Sequence, residues 1–225
     1  MRQESENFYR KGYEVFKFNS ISIKETLEDI LSGKIKKGFS LECKYSKALD
    51  LRPNVIDYSD GFLNVLKENN IKNFLRSRTY KDFTLYHIQA RTTQSEISYL
   101  DWHRDTCFNG EKKIGMTPPG LKLIYYPSFS EDPSSRLLVL PESHRYMNSD
   151  LEKDLEYAKS KKHEEINSNN DQAVLFEASL FHAVVPDKKN CKSIRLIYSF
   201  VTKEQVPDDQ KNLHYITSKR YEEMF

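Results

Sequence analysis

Between Phe83 and Val201 the chain repeats one local pattern seven times, a short run rich in β-branched and aromatic residues closed by turn formers. The runs are FTLYHIQA, ISYLDWH, LKLIYYP, RLLVLP, QAVLFE, LFHAVVP and SIRLIYSFV. Segments of this length and composition read as strands, and so many of them in succession predict an antiparallel sandwich or barrel. A charged stretch between the fourth and fifth runs, SDLEKDLEYAKSKKHEE, reads as a surface helix opened by Ser149 or Asp150.

The first eighty residues read as helical and irregular. Ser22 precedes IKETLEDIL, in which Ile23, Leu27, Ile30 and Leu31 share one helical face and Gly33 supplies a stop, so Ser22 is the expected N-cap. A second helix is expected from Asp60, with Phe62, Leu63, Val65, Leu66, Ile71 and Phe74 at helical spacing and Asn69-Asn70 interrupting it. The tail beyond Val206, with Tyr215, Tyr221 and Phe225, reads as a packed C-terminal extension.

A chain of 225 residues that is 38% hydrophobic can bury a core in one domain without disulfides. The formal charge is +2 with acids and bases interleaved, which provides no long-range field for nucleic acid or an anionic membrane. Lys34, Lys36 and Lys37 form a small basic group best read as a solvated loop. No apolar run exceeds four residues, as in Leu137 to Leu140, and the opening MRQESENFYR lacks the apolar core of a signal peptide, so a cytoplasmic location is expected. Cys43, Cys107 and Cys191 contain no CxxC pair and read as three reduced thiols.

Among the six histidines, His163 and His214 lie in polar surroundings and read as solvated. His103 belongs to Trp102-His103-Arg104-Asp105 at the end of a strand-like run, where residues two apart project to one face and offer an imidazole and a carboxylate to one metal. Alone, a His-X-Asp is a weak signal. A second His, His182 in LFHAVVP, and Arg195 in SIRLIYSFV lie at equal distances from the centre of the DKKN stretch, so a simple hairpin would pair them across two strands. An Arg among Ile194, Leu196 and Ile197 is costly unless it meets an anion, either a ligand or one of the protein's own acids.

Through His103-Arg104-Asp105, the distal His182 and Arg195 beyond it, the chain resembles the Fe(II)/2-oxoglutarate-dependent dioxygenases. Tyr99 to His103, Leu140-Pro141-Glu142-Ser143-His144-Arg145 and His182 to Pro186 are similar to the phytanoyl-CoA dioxygenase branch. The resemblance spans roughly residues 80 to 202. It implies a mainly β fold with flanking helices, the double-stranded β-helix or jelly-roll/cupin-like barrel, in which His182 and Arg195 lie on facing sheets. The chain then divides into a mostly helical part over 1–80, a β-helix core over 81–202 and an extension over 203–225.

The resemblance further implies that His103, Asp105 and His182 bind Fe(II), that 2-oxoglutarate and O2 complete the site, and that Arg195 holds the far carboxylate of 2-oxoglutarate. Gln89, on a strand whose alternation puts Phe83, Leu85, His87 and Gln89 on one face, would contact the cosubstrate. The implied activity is hydroxylation of a C–H bond in a small molecule with release of succinate and CO2, without nucleic-acid or membrane partners. His144 reads as a residue ordering its turn. The Gly/Pro-rich loop from Thr106 to Gly120 reads as a lid or as a plain connection. Departures from the branch are Glu142 where Gly is common and the lack of a Ser two residues after Arg195. Two alternatives stay open: a non-catalytic cupin-like metal- or ligand-binding protein, and a protein hydroxylase.

Overall fold

The computed structural model describes residues 2–32, 34, 49–53, 59–79, 81–94, 100–105, 108–109, 112–113, 120–127, 135–146, 150–166, 171–186, 192–202, 219 and 221–223. Its strands are β1 (Tyr13–Lys17), β2 (Leu49–Pro53), β3 (Thr84–Gln94), β4 (Leu100–His103), β5 (Phe108–Asn109), β6 (Lys112–Lys113), β7 (Leu121–Tyr126), β8 (Ser135–Val139), β9 (Glu164–Ile166), β10 (Gln172–Glu177), β11 (His182–Pro186) and β12 (Lys192–Val201). The helices are α1 (Arg2–Lys11), α2 (Lys24–Leu31), α3 (Gly61–Glu68), α4 (Ile71–Thr79) and α5 (Leu151–Ser160). A six-stranded sheet runs β1-β10-β7-β12-β3-β2, a four-stranded sheet runs β4-β11-β8-β9, and β5 pairs with β6. All of these pairings are antiparallel.

Alternation along the large sheet builds two cores. Leu196, Tyr198 and Phe200 of β12, with Leu121, Leu123 and Tyr125 of β7, pack against the helices through Phe8, Ile23, Leu27, Phe62 and Leu66. The opposite face carries Ile197, Ile124, Val174 and Phe176, which meet Leu137, Val139 and Val184 of the small sheet. Two sheets closed over a shared interior, with helices against the outer face of the larger one, form a double-stranded β-helix.

All seven runs contain strands, and β10 coincides with QAVLFE. Strands β1 and β2, from the first eighty residues, add to opposite ends of the large sheet. Asn69-Asn70 separates α3 from α4, with Asn70 at φ 52°. Asp150 caps α5, accepting from the backbone N–H groups of Glu152 and Lys153 at 3.0 and 3.3 Å. The helix stops at Ser160, and Glu164–Ile166 joins the small sheet as β9 rather than prolonging it. Tyr221 is buried in the helix-side core with its ring against Phe200.

Two local expectations are corrected. Ser22 does not cap a helix, because Ile21–Ile23 already forms a 3-10 turn leading into α2 and the Ser22 hydroxyl donates to Glu68 Oε2 at 3.1 Å. Leu85 does not share a face with His87 and Gln89: His87 pairs with Ser199 but Leu85 with Phe200, so a bulge at Tyr86 turns Leu85 into the helix-side core. The three cysteines, Lys36, Lys37, the DKKN stretch and all but residues 108–109, 112–113 and 120 of the Thr106–Gly120 loop lie outside the described residues.

Candidate metal centre

The small sheet brings together residues far apart in the chain. β11 opens at His182, which lies opposite Val139 of β8 on one side and His103 of β4 on the other. The β4–β11 register slips between His182 and Val184, a bulge that ends regular pairing where His103 leaves the sheet. Asp105 follows in a bend, not in the strand. His103 Nε2 is 4.0 Å from Asp105 Oδ1 and His182 Nε2 is 3.6 Å from Asp105 Oδ2. One ligand atom from each of the three residues lies within 4.8 Å of the others, and this is the metal-type cluster found among the described residues.

The protonation states suit a cation. Burial and the neighbouring His103 push the pKa of His182 down to about 3, which leaves a neutral imidazole. His182 Nδ1 lies 3.0 Å from the Leu180 carbonyl, so Nδ1–H donates there and the Nε2 lone pair faces Asp105. Burial alone would raise the carboxyl of Asp105, but the positive charge of Lys122, aided by that of Arg91, outweighs it and holds the group well below the usual carboxylate range. Phe176 closes one side of the site, its ring 4.9 Å from that of His182.

Arg104, between the two residues of the motif, points the other way and anchors them. It is buried and grips Asp154 of α5 through Nε to Oδ2 at 2.8 Å and Nη2 to Oδ1 at 2.9 Å. It also donates to the carbonyls of Ser143 at 2.7 Å and of Ser179, and lies over the Phe181 ring at 3.9 Å. These contacts tie the motif to the PESHR turn and to the approach to His182. In that turn Glu142 has φ 68°, the left-handed conformation in which Gly carries no steric cost. Ser143 Oγ donates to the Leu140 carbonyl at 2.7 Å and accepts from the Phe181 N–H at 2.9 Å. His144 stays away from the metal-type cluster: Nε2 is 3.0 Å from the Tyr9 carbonyl, and the ring lies where a Cβ at Gly12 would fall.

Register across the large sheet orders its inner face into rows. His87, Ser199 and Lys122 form one, Gln89, Ile197 and Ile124 the next, and Arg91 with Arg195 a third. Gln89 Oε1 accepts from Arg91 Nε and Nη2 at 3.2 and 3.0 Å. Arg195 is 3% exposed and directly opposes Arg91, not His182. The hairpin arithmetic therefore fails, since His182 and Arg195 belong to different sheets, while the facing-sheet placement implied by the resemblance holds.

Lys122 is the residue that sequence reasoning passed over. It is 5% exposed on β7, and its ammonium crosses to the small-sheet side, Nζ to Asp105 Oδ2 3.2 Å. A signal was present: alternation in LKLIYYP puts Lys122 on the face of Ile124 and Tyr126, and the argument applied to Arg195, that a cation on a buried strand needs an anion, applies equally here.

This architecture is shared with solved non-heme 2-oxoglutarate enzymes. No family model and no curated protein matches the chain. Among solved structures it is similar to the epimerase SnoN in complex with Fe3+, alpha ketoglutarate and nogalamycin RO, at 10% identity and TM-score 0.68 over 89% of this chain and 83% of that one. HygX from Streptomyces hygroscopicus, with nickel, 2-oxoglutarate and hygromycin B bound, matches at 12% identity and TM-score 0.68 over 93% of both chains. The carbocyclase SnoK from nogalamycin biosynthesis matches at 7% identity and TM-score 0.70 over 90% and 84%. At these identities the likeness establishes the fold.

Proposed function

We propose that the chain is an Fe(II)/2-oxoglutarate-dependent oxygenase that hydroxylates a C–H bond of a small molecule. The observation that carries the reading is the convergence of His103, Asp105 and His182 on one point of a double-stranded β-helix interior. Two imidazoles and a carboxylate held ionised are the donor set of the facial triad, which suits Fe(II) and leaves positions for exchangeable ligands. Fe(II) with 2-oxoglutarate and O2 supplies oxidative decarboxylation to succinate and CO2 coupled to oxidation of the substrate.

The chain's own part is binding and orientation. Leu180 fixes the tautomer of His182, and Arg104 holds the strand end from which His103 and Asp105 project. Arg195 and Arg91, opposite each other on the inner face, supply the positive charge that a dicarboxylate needs; like charges directly opposed in a sheet are otherwise unfavourable. Gln89 accepts from Arg91 and so orients it toward the cosubstrate. Asp105 would keep an anionic ligand on a bound metal, which disfavours entry of a halide and so favours hydroxylation, or another hydrogen-abstraction outcome, over halogenation. A small-molecule substrate is in keeping with the nogalamycin RO and hygromycin B bound by SnoN and HygX.

Anaerobic titration with Fe(II) and 2-oxoglutarate tests the reading without knowledge of the substrate. A metal-to-ligand charge-transfer band dependent on both additions is expected. Its absence, with no metal retained on dialysis, would overturn the assignment and leave a non-catalytic barrel.

A further inference from the structure

Strand β1 ends the large sheet, with no strand beyond it among the described residues. Its pairing with β10 runs unbroken from Tyr13 to Lys17, and the flanking bonds fix its parity. Glu177 N–H donates to the Gly12 carbonyl and Phe18 N–H to the Asp171 carbonyl. The even-numbered residues therefore direct their backbone groups at β10, and those of Tyr13, Val15 and Lys17 point away from the sheet. A row of outward N–H and C=O groups is a template for another strand. The other sheet ends are blunted: β2 closes with Pro53, β9 is three residues long with Glu164 and Glu165 in it, and β4 carries the register slip beside His103. β1 has neither proline nor bulge, and Lys17 is the charge in its outward row.

Symmetry identifies what pairs with this edge. Among the described residues the exposed large apolar side chains are Tyr9, Val15, Ile21 and Tyr146, and Val15 stands midway in the chain between Tyr9 and Ile21. An antiparallel two-fold through Val15 opposes the two Val15 residues, sets Tyr13 against the partner's Lys17, and brings the Tyr9 end of one copy beside the Ile21 end of the other. Each outward residue then exchanges both backbone bonds with its opposite number. A two-fold at Glu14 would oppose two carboxylates and one at Lys17 two ammonium groups, while one at Tyr13 or Phe16 would pair only part of the strand. The charges agree with the Val15 centre. Tyr13 donates its hydroxyl to Glu164, a carboxylate 45% exposed and held ionised by that bond and by Lys11 at 3.4 Å, so the partner's Lys17 arrives beside an accessible anion. Glu14, which accepts from Arg78 at 2.6 and 2.8 Å, faces the partner's Phe16. We propose that β1 is a self-pairing edge: two copies of the chain join antiparallel about Val15 and fuse their large sheets into one. The proposal stands apart from the oxygenase reading, since no residue of the metal-type cluster takes part in the seam.

A seam of two short strands belongs with the small, reversible interfaces, so assembly should depend on concentration. Sedimentation velocity of the full chain, loaded from about 1 to about 300 μM, reads it, and a reversible passage from monomer to dimer within that range is expected. Val15→Lys, which opposes two ammonium groups at the two-fold, should weaken the dimer at least about tenfold. Val15→Pro should weaken it through the backbone, because the Val15 N–H points away from β10 and its loss removes seam bonds but no bond of the folded monomer. Tyr146→Lys is the control: Tyr146 is exposed and stacked on Tyr157 of α5, and its replacement should leave the dimer unchanged. Thermal unfolding is recorded first, and Val15→Lys, at an exposed position, carries the test if the proline variant lacks a cooperative transition. A monomer at every concentration, a dimer unmoved by Val15→Lys, a dimer lost in Tyr146→Lys, or growth into species beyond the dimer, which a closed two-fold forbids, would overturn the proposal.

Discussion

Arg104 and Asp154, 50 residues apart in the chain, meet in a two-pronged bridge with side chains 1% and 2% exposed. Arg104 stands between His103 and Asp105, so the bridge is the hinge pin of the candidate metal centre as well as a fold contact. Removing one partner strands a buried charge, which costs about 3–5 kcal/mol, whereas removing both leaves no ion unpaired. Arg104→Met is therefore expected to lower unfolding stability by that amount, and the double variant Arg104→Met/Asp154→Leu to recover part of it. Urea unfolding of the two singles and the double gives the coupling energy; additive losses would mean that the bridge contributes nothing specific.

The three proposed ligands predict a site with no redundancy. His103→Ala and Asp105→Ala should each retain far less iron than the parent after dialysis against equal Fe(II), at unchanged secondary structure. Equal iron content in parent and variants would remove these residues from the metal.

Arg195→Leu should weaken 2-oxoglutarate binding by ~2–5 kcal/mol, the cost of truncating one partner of a buried charge pair. Its effect on Mn(II) binding alone should be small. Calorimetric titration of 2-oxoglutarate decides, and an unchanged affinity would place the far carboxylate elsewhere.

The inner-facing residues on the central strands were legible because alternation survives in any strand that is covered on both sides. Lys122, Gln89 and Arg195 can be put on their faces from the sequence, and the structure places them there. The exception is Leu85, and its cause is a bulge, a single extra residue that no hydrophobic pattern announces. Strands β1 and β2 were not legible for a different reason. They are edge strands, and in β1 buried Tyr13 shares one face with exposed Val15 and Lys17 while half-buried Glu14 and Phe16 share the other, so hydrophobicity marks it weakly. The adjacency of His103 and His182 depends on which strands neighbour each other, and that information is held by the whole topology rather than by either segment. A resemblance could imply it; spacing from DKKN could not, and it paired the wrong residues.

Glu177, at the end of β10, predicts a pH dependence. Burial pushes its carboxyl from the usual 4.5 up to about 7, and Lys81 offsets this only in part. The folded protein thus holds this proton more tightly than the unfolded chain does. Its contribution to stability is fully present below about pH 4.5 and is lost as pH rises through about 7. Glu177→Gln should show a stability gain over the parent that is small at pH 4, grows across this window and levels off above it. Denaturant unfolding at a series of pH values checks this, and a difference independent of pH would show that Glu177 titrates normally.

Among the described residues, the three non-glycine ones with left-handed backbone should respond differently to glycine. Asn70 and Asp171, at φ 52° and 56°, use their side chains: Asn70 Oδ1 accepts from Asn73 at 2.9 Å and Asp171 Oδ1 accepts from the Tyr125 hydroxyl at 2.6 Å. Glu142, at φ 68°, has an exposed side chain, and its backbone N–H donates to the Lys11 carbonyl at 3.0 Å, a bond that glycine would keep. Relief of the left-handed strain contributes about 1–2 kcal/mol, and the greater freedom of glycine in the unfolded chain removes about 0.4–1 kcal/mol of that. Glu142→Gly is therefore expected to stabilise the protein by about 0.5–1 kcal/mol, with Mn(II) affinity unchanged because Ser143 and Arg104 keep their contacts. Asp171→Gly should destabilise it by at least about 1 kcal/mol, since the hydroxyl of buried Tyr125 loses the carboxylate it donates to. Thermal and urea unfolding of the two variants side by side supplies the test, and a loss of stability in Glu142→Gly would mean that the Glu142 side chain holds the turn through a contact worth more than the strain.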